Sequence, residues 1–281
     1  MWKPKDPEFI DLARTGKNEW WSYLLGLLVV LGSGFGGGYV GKLALRAWDD
    51  CYSSFCSSHG PVCGAYWYIY WLIAYPTFFQ KLTMLVSAFV VIRVLHRRQC
   101  LSLITTSDHF NRKYLTQGFS LYFFLGTVAI MAEHLFSSGP RITLPRISGT
   151  AVTILVGIIV SAVAEEVLFR GYILQGLGLL IRNRVLLASV NGLLFAVVHA
   201  GAPQATTPYL ILVLESGFFF AFITLKSNGL ELAIGAHIAD NLVADINRYC
   251  TQLQPVHFAI SIPVCAMIFY FTVFRPSRRG R

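Results

Sequence analysis

Ile154-Leu155-Val156-Gly157-Ile158-Ile159-Val160-Ser161-Ala162-Val163-Ala164-Glu165-Glu166-Val167-Leu168-Phe169-Arg170 is the stretch on which the reading of this chain turns. The run from Ile154 to Ala164 holds no charge, and then two carboxylates and a guanidinium arrive together. An ionisable group at membrane depth costs roughly 2.5–3.5 kcal/mol on insertion scales, so such groups face a protein interior and act there. Later apolar segments supply matching polar groups: His199, then His237 with Asn241. That set has the make-up of a hydrolytic site buried in a bilayer.

Composition points the same way. The 281 residues are 55% hydrophobic and 13% charged, with a mean hydropathy of +0.57, values of an integral membrane protein. A spanning helix needs about 20 mainly apolar residues. Candidate spans fall at 20–40, 70–94, 115–136, 149–169, 184–200, 208–225, 230–248 and 256–274. The expected fold is all-α, a polytopic membrane bundle of about eight transmembrane helices forming one membrane domain over 1–281. Within it, 1–148 carries N-terminal helices and a cysteine-bearing loop, and 149–250 carries the polar motifs. No ten-residue alternating pattern recurs, which argues against a barrel.

The net charge of +9 is mostly an orientation signal. Basic clusters lie at Lys3, Lys5, Arg14 and Lys17, at Arg93, Arg97, Arg98, Arg112 and Lys113, and at Arg275, Arg278, Arg279 and Arg281. Eight spans place all three on one side, the cytoplasmic one, with both termini. Anionic lipid head groups of the bilayer are the expected partners of this charge. Nucleic acid is not, since no basic face with interleaved aromatics is present. Cys51, Cys56 and Cys63 then fall in an extracytoplasmic loop, with Cys250 on the same side, where one or two disulfides could form. Gly34 and Gly38, and Gly37 and Gly41, have the spacing of close helix packing.

Glu166 and Arg170 are four apart and can pair on one helix face. Glu165 has no basic residue three or four positions away, so its partner must come from elsewhere in the chain. Arg182-Asn183-Arg184 is the natural turn before the next apolar run, which ends at His199. Glu165 and His199 each lie roughly 25 Å from that turn at 1.5 Å per residue, so a hairpin brings them to similar depth. His237 and Asn241 project from one face of a later helix. Asn191 shares the Phe195–His199 face and reads as a helix-packing hydrogen bond. Lys81 and Glu215, also within apolar spans, receive no role.

These residues resemble the CPBP group of intramembrane proteases, which includes CAAX prenyl endopeptidases and bacterial abortive-infection-like proteins. Glu-Glu-x-x-x-Arg stands at Glu165–Arg170, Phe-x-x-x-His at Phe195–His199 and His-x-x-x-Asn at His237–Asn241, in that order. Gly16-Lys17-Asn18-Glu19-Trp20-Trp21-Ser22-Tyr23-Leu24-Leu25-Gly26 is similar to bacterial members, which points to a bacterial inner membrane. The resemblance implies hydrolysis of a peptide bond in a membrane-associated or lipid-anchored peptide or protein. Glu165 and His199 would deprotonate a water, and His237 and Asn241 would form an oxyanion hole. Glu166 and Arg170 would support them. No cofactor is the favoured expectation. A zinc version, with Glu165, His199 and His237 as ligands, uses the same atoms. Two other classes stay open: a non-catalytic scaffold or bacteriocin-immunity-type protein, and a proton-coupled carrier.

Overall fold

The computed structural model describes residues 8–59, 78–136, 149–202 and 205–251. Among them lie eight α-helices and no strand. We label them α1 (Trp20–His59), α2 (Phe78–Val94), α3 (Arg112–Phe136), α4 (Gly149–Glu166), α5 (Leu174–Gly178), α6 (Arg184–His199), α7 (Thr207–Ser227) and α8 (Glu231–Thr251). Seven of the eight expected spans are helical over their described residues, and the eighth, at 256–274, lies outside them. Among the described residues, three stretches are long and apolar enough to cross a membrane on their own: Trp20–Ala47, Arg112–Ala132 and Thr207–Ser227.

α1 runs well past its expected end at residue 40, to His59. Residues 42–59 contain neither Gly nor Pro, and the helix-stopping pair Gly60-Pro61 follows them. Cys51 and Cys56 thus sit on a helix rather than in the loop where they were expected. Their side chains, with those of Cys63 and Cys250, lie outside the described set. Cys100 is a free, exposed thiol.

Glycines set the helix spacings. Gly34, Gly37 and Gly41 lie against Met84, Thr83 and Phe79, so α1 and α2 approach closely. Ser33 and Ser87 share a 2.6 Å hydrogen bond across that contact, and the Thr83 hydroxyl donates to the Ser33 carbonyl at 3.0 Å. Gly118 of α3 abuts the Leu232 carbonyl of α8, while Gly235 of α8 abuts the Leu115 carbonyl in return. A Cβ on Gly192 would stand 2.6 Å from the Phe218 amide, which brings α6 against α7. Small residues at such crossings let dispersion and hydrogen bonding hold helices where lipid gives no hydrophobic drive.

Between α4 and α5 the helix widens into a π segment, Val167–Ile173. The sequence reading expected ordinary helix here. The Leu174 amide reaches back five residues to the Phe169 carbonyl, and Asn191 Nδ2 of α6 donates to the same oxygen at 2.8 Å. A wide turn exposes its carbonyls sideways, and a buried amide side chain satisfies one of them. Gly171 gives room for the Leu103 carbonyl, which a Cβ would meet at 2.7 Å.

The basic stretches after α2 and between α5 and α6 meet at one end of the bundle with the N-terminal segment. Arg182 pairs with Asp11 at 3.0 Å and Arg184 with Glu8 at 2.6 Å, both half-exposed. Phe9 donates its amide to Asn228 Oδ1, and Thr105 bridges to Gly229. Beneath them His96, Arg98, Tyr172 and Gln175 form a buried polar layer. Elsewhere the outward faces are apolar: Leu24, Leu28, Phe35, Phe124, Val128, Val197 and Val198 are all exposed. Such continuous apolar cover suits hydrocarbon contact.

Candidate active site

Glu166 is the hub of the buried cluster. Its Oε1 accepts from Arg170 Nη1 at 2.9 Å and from His237 Nδ1 at 2.7 Å. Arg170 is wholly buried, and its other terminal nitrogen donates to the Gly217 carbonyl of α7 at 3.1 Å. The guanidinium lies over the Phe195 ring, 4.5 Å from its centroid, with Phe220 on another side at 5.5 Å. Aromatic faces favour a cation that hydrogen bonds alone leave under-solvated. The Glu166–Arg170 pair expected from i, i+4 spacing is present although Arg170 lies within the π segment.

Glu165 stands beside this hub on the same helix, and its salt-bridge partner comes from α2. Lys81 Nζ donates to Glu165 Oε1 at 2.7 Å, and Ser161 Oγ donates to the same oxygen at 3.2 Å. The other oxygen, Oε2, is 3.7 Å from His237 Nε2. His237 therefore stands between the two carboxylates, one on each ring nitrogen. Phe220 stacks on its ring at 5.1 Å.

His199 closes the far side. Its Nδ1 lies 2.8 Å from the Phe195 carbonyl. A carbonyl can only accept, so Nδ1 carries the hydrogen and Nε2 of the neutral ring keeps its lone pair. The ring packs on Phe195 with centroids 4.4 Å apart, and it lies within electrostatic reach of Glu165, Lys81 and His237. Asn241, one turn after His237 on α8, is half-buried and makes none of the contacts that join Glu165, Glu166, Arg170 and His237. The structure thus gathers Glu165, Glu166, Arg170 and His237 by direct contact and sets His199 beside them.

Glu165 Oε2, His199 Nε2 and His237 Nε2 are the donor atoms that the zinc alternative would use. Oε1 of Glu165 is held by an ammonium and a hydroxyl, and Nδ1 of each histidine is bonded to a protein oxygen, which leaves Nε2 as the open ring nitrogen in both. Among the described residues no three His, Cys, Asp or Glu side chains gather as metal ligands.

The match to known proteins falls on these helices. Residues 147–243 match the family model described as type II CAAX prenyl endopeptidase Rce1-like. That family is one of proteases, and the match takes in α4 to α7, the π segment and the His237–Asn241 turn of α8. The chain is also 26% identical over 163 residues to the uncharacterized protein YyaK of Bacillus subtilis strain 168, which covers 56% of this chain and 54% of that protein. The match thus spans about half the length of that relative. The Rce1-like segment and the apolar helices around it make this an integral membrane protein.

Sequence reasoning missed Lys81, which lies outside the Rce1-like segment. A usable signal existed: a lone cation in an apolar span and a lone carboxylate in another each need a partner. Ser161 and Phe220 gave no such signal, since a serine and a phenylalanine are ordinary in membrane helices.

Proposed function

We propose that this chain is an intramembrane endopeptidase that hydrolyses a peptide bond of a membrane-associated peptide, with its own carboxylates and histidines as catalysts. One observation carries the reading. Two adjacent buried carboxylates, an arginine and a histidine from α4, the π segment and α8 share one cluster of hydrogen bonds and ion-pair contacts, with a second histidine alongside. A structural ion pair would need only Glu166 and Arg170. The additional carboxylate and the basic nitrogen of His199 have the chemistry of water activation.

In this reading Glu165 Oε2 and His199 Nε2 take a proton from water, and the hydroxide adds to the scissile carbonyl carbon. General bases so positioned contribute about 10²–10⁴-fold. The proton then passes to the leaving amine as the C–N bond breaks. Glu166 accepts Nδ1–H of His237 and so fixes the ring with Nε2 toward the reacting centre. As the imidazolium, His237 donates from Nε2 to the oxyanion, with Asn241 as the second donor once substrate is seated. Arg170 balances Glu166. A prenylated CAAX peptide is the first substrate to try, given the family match, and a bacterial regulator or leader peptide is the next. The test compares membrane peptides of cells carrying wild type or Glu165→Gln. Peptides that accumulate uncleaved only with the variant support the protease, and identical inventories overturn it.

A further inference from the structure

Lys81 is a charged member of the site that the motifs leave unexplained. It lies on α2, some sixty residues before the Rce1-like segment begins at 147. A lysine in an apolar span ordinarily extends toward the interface, keeping its ammonium in water. This one does the opposite. Its side chain is 17% exposed, and Nζ ends 2.7 Å from Glu165 Oε1.

The depth of Lys81 is set by the α1–α2 contact. Gly37 and Gly41 admit Thr83 and Phe79, and the Ser33–Ser87 and Thr83–Ser33 hydrogen bonds lock the register. α2 in turn packs on α4. Lys81 then meets Glu165 from the side opposite His237, so the two carboxylate oxygens have different neighbours. Oε1 accepts from Lys81 and Ser161, and Oε2 faces His237 Nε2 at 3.7 Å. Without an anchor on Oε1 the carboxylate could turn and chelate Arg170 or His237.

We propose that Lys81 is a positioning residue for the general base: by holding Oε1 it keeps Oε2 of Glu165 turned toward the reacting water. The inference rests on the protease reading and deepens it. The N-terminal helices thereby complete a site whose other groups all lie within the matched segment.

The test uses the full chain in lipid nanodiscs with an internally quenched farnesylated CAAX peptide. Lys81→Met lowers kcat about 100-fold, the usual cost of a base misplaced by about 1 Å, while KM stays within about threefold. Lys81→Arg, which can still hold Oε1, recovers at least about tenfold of that loss. A Lys81→Met enzyme within about tenfold of wild type, or one that Lys81→Arg does not improve, overturns the inference. Melting temperatures give a second arm that needs no activity. Lys81→Met and Glu165→Gln each lower the melting temperature, and the double variant recovers, because neither charge is then stranded. Additive losses in the double variant overturn the pairing itself. A wild type that leaves the peptide whole, with the cycle still coupled, counts against the protease reading and leaves the pairing in place.

Discussion

Glu166 holds two donors, Arg170 and His237, on one oxygen in a site closed to solvent. Breaking such a buried pair by removing one partner costs about 3–5 kcal/mol, because the other charge is left uncompensated. Arg170→Met should therefore lower stability by about that amount, read as a fall in melting temperature in detergent. Glu165→Gln is a different kind of change. It keeps the shape of the side chain and removes the base, so peptide hydrolysis should drop by about 10³-fold or more while the chain stays folded. If both variants only unfold the chain, the cluster is a structural pin and the catalytic reading fails. The two histidines differ in the same chemical sense: His199 gives its Nδ1 hydrogen to a carbonyl, whereas His237 gives its own to a carboxylate.

At the scale of elements the π segment is the decisive piece. It rotates everything after Glu166 relative to a plain helix, yet leaves Arg170 buried against Gly217 and Tyr172 buried under His96. Asn191 sustains it through the Phe169 carbonyl. Asn191→Leu removes that donor and leaves a buried carbonyl short of a partner, at a cost of about 1–3 kcal/mol. Faster amide exchange in 167–174 is the expected signature, with hydrolysis impaired to match. The Asn191 side chain was readable in the sequence as a helix-packing hydrogen bond. The wide turn it supports was not, because π geometry follows from which carbonyl finds a second donor, and no local residue pattern encodes that.

For the whole molecule, the α3–α8 contact and the end layer around His96 carry the next expectations. Gly235→Val drives a side chain into the Leu115 carbonyl and must push α8 aside, moving His237 from Glu166. Activity should fall with stability. His96 is fully buried outside the spans, with Nδ1 against the Lys17 carbonyl at 2.7 Å and Nε2 against the Tyr172 hydroxyl at 2.8 Å. Burial lowers its pKa below the usual histidine value, aided by the Arg98 charge and opposed by the Lys17 carbonyl and Glu19. The unfolded chain then binds the proton more readily than the folded one. Stability from this residue is thus full above about pH 6.5 and falls as the pH drops below it. A melting-temperature profile across that range should flatten in His96→Gln.

The sequence by itself determined that this is a helical membrane protein, and it singled out Glu165, Glu166, Arg170 and His237, which the structure buries together, with His199 half-buried beside them; Asn241, singled out with them, stays outside their contacts. Charges in apolar spans are rare enough to be read one residue at a time, and an i, i+4 pair is a property of a single helix. Tertiary structure alone decided which charges on different helices meet. Lys81 and Glu165 are 84 positions apart, and their contact depends on how deeply three helices interlock. That depth is fixed by glycines and serines on α1 and α2, which look the same in sequence whether they face a partner helix or lipid.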